Sequence, residues 1–424
     1  MNDWSVHFFT IVARNYLAYA YVLGKSLLRY HPEARFSIFV MDDIDGTYSA
    51  DIQRHGFHAL GPKEIAIADY TAFVFKYTVT EASTAVKPFL FQALLAAGAD
   101  RVIYLDPDIL CYRRLTELLD ALNTSSIVLT PHSTSPVGEG RYPDDFIFLA
   151  FGAYNLGFIA VSRGAVADRF LEWWSKRLHD WCLDLKESNL FVDQKWMDLV
   201  PAYFEEVRIL KSLAYNIAYW NFHERSLCRT GETLEVLPSK EAVAFIHFSG
   251  IDTDNLDSVT RYTSKSPFDL FGQRAKKNFT LTERPDLFAP FHEYASLLAQ
   301  ASHARYAALP YAYANYENGE KISPLERLLF WGQPHSPNVS ASPFAVSPGS
   351  FHHLCRTSGI GKLDSLLAKP GSGETPQNFE FLAGLIRFAL RLLMRRVGPD
   401  RYAKFAKYLR QQLLPVHQRF LLKE

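Results

Sequence analysis

Two aspartates one residue apart, Asp106 and Asp108, close the run Val102-Ile-Tyr-Leu105, with Pro107 between them. A short apolar run of this kind reads as a buried strand. In extended backbone, residues i and i+2 face the same side, so both carboxylates point into one volume. Two oxygen ligands converging in this way suit a hard divalent cation such as Mg²⁺ or Mn²⁺. Pro107 removes a backbone donor and fixes φ, which ends strand pairing and leaves the acids at the strand tip. Three readings stay open at this level: a metal site bridging a nucleotide diphosphate, a phosphatase whose nucleophile is the first aspartate, or a solvated turn. The nucleophile reading suits a motif on the first strand, and here two strands and several helices come earlier.

The elements that must position these acids follow from the hydrophobic pattern. Val6–Val12 is a β-rich run, and an apolar helical pattern over 16–30 stops before Pro32. A second strand spans 35–41, helix-forming segments fill much of 65–97 with Gly98 as C-cap, and 101–105 is a third strand. Alternating strands and helices imply an α/β protein with a largely parallel sheet covered on both faces. Ligands of such sheets bind beyond the carboxyl ends of the strands, where Asn15 and Asp106 both fall. Further strands are expected at 127–129, 158–161 and 245–248, a long helix at 166–185, and helices near 193–199 and 289–300. The texture turns polar after Gly250, and 334–350 and 369–377 have linker composition. The expected division is therefore a catalytic or binding domain at 1–250, a mixed extension at 251–368 on the acceptor side, and a basic helical tail at 369–424.

Composition narrows the function classes. The 424 residues hold 45 Lys+Arg and 45 Asp+Glu, so the net charge is zero and a nucleic-acid-coating role is excluded. A hydrophobic content of 48% excludes wholesale disorder. Cys111, Cys182, Cys228 and Cys355 lie far apart, which gives neither a zinc knuckle nor a disulfide framework and points to a reducing compartment. Met1-Asn-Asp-Trp4 lacks the basic start of a signal peptide, and no apolar run reaches the ~18–20 residues of a membrane span. The expected location is cytoplasmic, with peripheral contact on the inner face of the membrane left open.

Six segments then occur in one order: Phe9-Thr-Ile-Val-Ala-Arg-Asn-Tyr16, Lys87, Tyr104-Leu-Asp-Pro-Asp108, Tyr154-Asn-Leu-Gly157, Asp193-Gln194 and His247-Phe-Ser-Gly250. Their order resembles the nucleotide-sugar glycosyltransferases of the GT-A fold, particularly family 8, the glycogenin and bacterial lipopolysaccharide galactosyltransferase type, over residues 5–250. The resemblance implies a Rossmann-like mixed sheet flanked by helices, a nucleoside-diphosphate sugar as donor, and Mn²⁺ or Mg²⁺ held by Asp106, Asp108 and His247. It places Lys87 near the donor phosphates or sugar, Asn155 and Gly157 against the sugar, Asp193 on its hydroxyls and Gln194 beside the anomeric carbon. Thr10, Ala13, Asn15 and Tyr16 would line the nucleotide end of the cleft, and Gly250 would also contact the donor. Two departures stand out. The position of Ala13 is usually acidic in the family and reads the base. The lysine that often follows His-x-x-Gly is replaced here by Asp252 and Asp254, so the phosphate clamp must differ; Arg261 and Lys265 are the nearest cations after Gly250.

Tyr215-Asn-Ile-Ala-Tyr-Trp-Asn-Phe-His-Glu-Arg225 is dense in aromatics and amides, and Asn216, Asn221 and Glu224 are candidates to bind sugar hydroxyls. Trp173, Trp174 and Trp181 read as core or interface. In the tail, Arg387, Arg391 and Arg395 recur every four residues, and Arg401, Lys404, Lys407, Arg410 and Arg419 follow. Such a basic helical segment, 379–424, either packs with a solvated face or lies on an anionic membrane where lipid-linked acceptors reside. The expectation is a retaining, metal-dependent, hexosyltransferase-like enzyme acting on a glycan or lipid-linked acceptor in surface-polysaccharide synthesis. An aspartate-nucleophile phosphatase and a non-catalytic nucleotide-sugar-binding or scaffold protein are the alternatives.

Overall fold

A computed structural model describes residues 6–138, 141–262, 278–332, 342–360, 388–390, 392–412 and 421. The chain forms two units, Met1–Tyr70 with Val79–Ala312, and Thr71–Thr78 with Tyr313–Glu424.

The first unit is built on a seven-stranded mixed sheet. Its strands include β1 (Val6–Val12), β2 (Arg35–Val40), β3 (His58–Leu60), β4 (Arg101–Leu105), β6 (Ile127–Pro131) and β7 (Tyr154–Ser162), while β5 (Ile109–Cys111) pairs outside it with Phe245–His247. The sheet order is Val207–Ile209, β6, β7, β4, β1, β2, β3. All pairings among β4, β1, β2 and β3 are parallel, and β7 runs against both β4 and β6. The α/β expectation is met. All seven residues of β1 are buried, as a strand with both faces covered must be.

Helices Leu17–Tyr30, Lys87–Ala96 and Ala165–Trp181 flank the sheet. The last ends at Trp181, short of the expected 185, and short strands Asp184–Leu185 and Leu190–Phe191 follow. Trp174 is fully buried between Phe170 and Phe91, whereas Trp181 is partly exposed. Gly24 lets the helix Leu17–Tyr30 lie directly on β2: a Cβ there would come within 2.6 Å of the Phe36 ring.

The expected break near residue 250 falls inside this unit, which continues to Ala312. The cause is aromatic burial. Phe248, just past the strand Phe245–His247, stacks on Tyr294 at 4.1 Å and meets Phe291 at 5.1 Å, both on the helix Phe288–Gln300. That helix and His303–Ala307 pack against Leu17–Tyr30, so the extension shares the core of the sheet domain.

The second unit gathers around Phe75, whose ring meets Phe330 at 4.7 Å, Phe344 at 4.9 Å and Phe351 at 5.8 Å. Arg327 is buried and donates to the carbonyls of Phe75 and Tyr313. A reciprocal Ser323–Glu326 cap starts the helix Pro324–Trp331, and Ser350 caps Phe351–Thr357. The helix Pro399–Gln412 matches part of the expected basic tail. The linker at 369–377, Lys265, Arg387, Arg391 and Arg419 lie outside the described residues.

Replacing Gly24 by alanine inserts a methyl where the Phe36 ring stands, an overpacking that costs about 1–3 kcal/mol. A urea melt of the Gly24→Ala protein should show a lower midpoint than wild type; an unchanged midpoint would contradict this packing.

Candidate metal site

Backbone pairing brings the two aspartates to a histidine. β4 ends at Leu105, and the Asp106 N–H donates to the Gly157 carbonyl at 2.7 Å. The chain turns through Pro107 and re-pairs as β5, antiparallel to Phe245–His247, with His247 opposite Ile109. The Phe248 N–H donates to the Asp108 carbonyl at 2.8 Å, which locks that register. His247 Nε2 then lies 3.0 Å from Asp108 Oδ1 and 3.7 Å from Asp106 Oδ2. One ligand atom from each of the three residues falls within 4.8 Å of the others, a spacing open to one metal ion.

The imidazole is held from behind. Its Nδ1 is 3.3 Å from Asn216 Oδ1, so Nδ1–H donates there and Nε2 is left to face the carboxylates. Trp220 stands edge-on to the ring at 5.1 Å. Burial works against charge on His247, yet the Asp108 and Asp106 carboxylates outweigh it and hold its pKa above the usual histidine value. On the other flank the Tyr104 hydroxyl donates to Asp106 Oδ1 at 2.5 Å and orients that carboxylate. Tyr104 precedes Asp106 by two residues at the end of a strand, so its shared face is implicit in the sequence, while its hydrogen bond to Asp106 is visible only in the fold.

Behind the triad lies a buried polar network. Asn216 adopts φ 54 and donates from Nδ2 to Asn155 Oδ1 and Thr130 Oγ1. Asn155 Nδ2 reaches Gln194 Oε1, and Asn155 Oδ1 also accepts from the Gly157 N–H. Gln194 accepts from the Leu156 N–H and donates to the Phe151 carbonyl. Gly157 is required by its neighbour: a Cβ would sit 2.3 Å from His247 Cε1. Lys87, 1% exposed, donates to Asp193 Oδ2 at 2.6 Å and to the Leu156 carbonyl, and stands 4.2 Å over the Tyr104 ring. Burial pushes the Asp193 carboxyl up to about 6, against the pull of the Lys87 ammonium.

Asp106, Asp108, His247, Asn155, Gly157, Lys87, Asp193 and Gln194 thus form one connected cluster. Thr10, Ala13, Asn15 and Tyr16 stand on or just after β1, parallel to β4, so they share its sheet edge. Thr10 and Ala13 are buried, and Thr10 Oγ1 has no hydrogen-bond partner among the described residues. Gly250 has φ +71, and a Cβ there would meet Thr260 Oγ1 at 2.5 Å.

The expectation that Asn216, Asn221 and Glu224 bind sugar hydroxyls is corrected. Asn216 and Asn221 are fully buried, and Asn221 donates to the carbonyls of His132 and Asn216. Glu224 accepts from Thr134 and Ser135. Their polar atoms satisfy internal partners, as buried amides must. Lys87 is matched to a carboxylate inside the protein and is not solvated.

No family model matches the chain. Among curated proteins it is similar to the uncharacterized protein YfnD of Bacillus subtilis (strain 168), 24% identical over 170 residues. That match covers 39% of this chain and 52% of the relative, so the chain spans about half the length of the curated relative it matches. Among solved structures it is similar to the galactosyltransferase LgtC in complex with donor and acceptor sugar analogs, at 17% identity and TM-score 0.38, covering 68% of this chain and 95% of that one. It is also similar to the glycosyltransferase GlyE of Streptococcus pneumoniae TIGR4, at 15% identity and TM-score 0.38, covering 74% and 67%. A third is the bifunctional glycosyltransferase WbbM, at 14% identity and TM-score 0.39, covering 71% and 51%.

With its pKa raised in the folded state, the His247 imidazolium–carboxylate attraction stabilises the metal-free protein fully below pH ~6.5 and is lost as pH rises through the folded value. Metal binding requires the neutral imidazole. Mn²⁺ affinity should therefore strengthen as pH rises through that window, with proton release visible by calorimetry in buffers of different ionisation enthalpy. A pH-independent affinity would remove His247 from the ligand set.

Proposed function

We propose that the chain is a divalent-metal-dependent glycosyltransferase that moves a sugar from a nucleoside diphosphate to a glycan or lipid-linked acceptor. The observation that carries this reading is the convergence of Asp106, Asp108 and His247 at the carboxyl edge of a mixed α/β sheet. The donor set fits such a cation: carboxylate oxygens and one imidazole nitrogen, with Asn216 fixing the tautomer and Tyr104 one carboxylate. Bound there, Mn²⁺ or Mg²⁺ would supply positive charge to the departing nucleoside diphosphate.

In this reading Asp106, Asp108 and His247 hold the cation, and Thr10, Ala13, Asn15 and Tyr16 line the nucleotide. Asp193 meets the donor-sugar hydroxyls with Lys87 fixing it from beneath, and Gln194 lies beside the anomeric carbon in a position set by Asn155, Leu156 and Phe151. Gly157 carries the backbone close, and Gly250 closes the phosphate side.

Retention of configuration is the proposed outcome. Inversion needs a carboxylate free to take the acceptor's proton. Asp144 caps the helix Asp145–Phe151, the Asp145 carboxylate accepts from the Val137 N–H, and Glu224 is engaged by Thr134 and Ser135. The phosphatase alternative asks Asp106 to act as nucleophile; its tie to Tyr104 and proximity to His247 suit a ligand better.

Acceptor and location belong to the same proposal. The described tail exposes Phe388, Leu392, Met394, Phe405 and Tyr408 beside Arg395, Arg396, Arg401, Lys404 and Lys407. That mixture suits an anionic membrane surface carrying a lipid-linked acceptor of polysaccharide synthesis. No helix among the described residues is long and apolar enough to cross a membrane.

A thermal-shift panel of nucleoside diphosphates and their sugars, with Mn²⁺, Mg²⁺ or chelator, tests the donor reading. A ligand at 100 times its dissociation constant adds about 2.7 kcal/mol, so a metal-dependent rise in Tm is expected for one base. Asp108→Asn should abolish that rise and all sugar release while the fold survives. Metal-independent donor hydrolysis by this variant would sink the assignment. Truncation after Ala368 should leave donor binding intact and weaken association with phosphatidylserine vesicles; equal vesicle binding by both forms would retire the membrane role.

A further inference from the structure

We propose that Arg261 is the cation that binds the donor's diphosphate, brought to the site by a loop that folds back onto Gly250; the inference rests on the nucleotide-sugar reading above. Two carboxylates balance one divalent cation, so the triad by itself offers no net positive charge to a diphosphate. A second cation is needed on the same edge, and most basic side chains near it are already matched. Lys87 is paired with Asp193, and Arg14 lies 3.6 Å from Asp42 and donates to the Pro310 carbonyl. Arg225 and Arg284 are buried, held by Glu224 and by Asp286. Arg261 differs. Its hydrogen bond is to a neutral phenol, from Nη2 to Tyr16 Oη at 3.3 Å, and no carboxylate pairs with it among the described residues.

The backbone around Arg261 is built to place it. Its N–H donates to the Gly250 carbonyl at 2.7 Å, three residues past His247. Thr260, 1% exposed, donates from Oγ1 to the Ser249 carbonyl at 2.9 Å, and Val259 beside it is buried. The left-handed φ of Gly250 and the lack of a Cβ there admit Thr260 and the Tyr262 ring, which a methyl would approach at 2.5 and 2.6 Å. The guanidinium therefore links the His247 loop to the end of β1, beside the strand that carries Asp106. Tyr262 marks the same neighbourhood, its ring standing against Gly250, three residues past His247. A planar fork of donors at this place matches phosphate oxygens in pairs, with Tyr16 fixing one end of the fork. Sequence distance hid the contact, since 11 residues separate Arg261 from Gly250 and only the loop's return brings them together.

The test is calorimetry of the full chain with Mn²⁺ alone, then with Mn²⁺ and UDP, GDP, CDP or ADP, and with Mn²⁺ and pyrophosphate. Arg261→Gln should bind Mn²⁺ as wild type does, yet bind the preferred diphosphate and pyrophosphate about 10- to 100-fold more weakly, the range of a lost charge-assisted contact. Arg261→Lys should recover part of the loss, and the parent nucleoside should bind both proteins alike. Equal diphosphate affinity in wild type and Arg261→Gln overturns the role of Arg261 and leaves the donor reading standing. Failure of wild type to bind any diphosphate with Mn²⁺ overturns both.

Discussion

The approach of two carboxylates to one buried imidazole is the constraint on which the rest of the structure depends. Like charges at such range repel, and burial penalises each charge further. Asp106 and Asp108 tolerate the arrangement because the main chain holds them: β4 continues into a bond from Asp106 to Gly157, and β5 pairs with the strand of His247. The backbone therefore sets the ligand spacing, and the side chains need little rearrangement to close on a cation. A proton on His247 and a metal at Nε2 are alternative ways of compensating the same two carboxylates.

An edge of clustered charge of this kind needs a polar floor, and a polar floor inside a protein must satisfy its own hydrogen bonds. Asn216, Asn155 and Gln194 do this by bonding to one another and to nearby backbone. Their network ties the imidazole to the segment around Gly157 and to the turn after Asp193. A side chain at 157 would break it by displacing His247. Lys87 and Asp193 extend the same logic, an ion pair that holds a buried carboxylate in place beside the network. Breaking such a pair by removing one member would leave an uncompensated buried charge, which is strongly destabilising.

The extension past residue 250 belongs physically to the sheet domain. Phe248 stacks on Tyr294, the loop through Thr260 returns to Gly250, and Arg14 donates to the carbonyl of Pro310. A chain segment whose sequence turns polar is thus tied to the sheet domain by aromatic stacking and backbone hydrogen bonds. The second unit has its own aromatic centre at Phe75 and draws Thr71–Thr78 from the middle of the sheet domain's sequence.

Local chemistry was written in the chain itself. The apolar runs of β1 and β4, the stop at Pro32 and the paired acids around Pro107 follow from periodicity, turn chemistry and residue type, which act over a few residues; Lys87, Asn155, Asp193 and His247 stood out only through the resemblance of their order to a known family. What only the tertiary structure decided is which polar group meets which. Asn216 reads as a sugar ligand and is the support of His247; Lys87 reads as a charge near the donor phosphates or sugar, and the fold gives it Asp193 as partner; Arg261, eleven residues beyond Gly250, folds back to its carbonyl. Side-chain partners depend on strand register and loop closure between segments far apart in the chain, and burial then obliges each polar atom to find a partner wherever the fold supplies one.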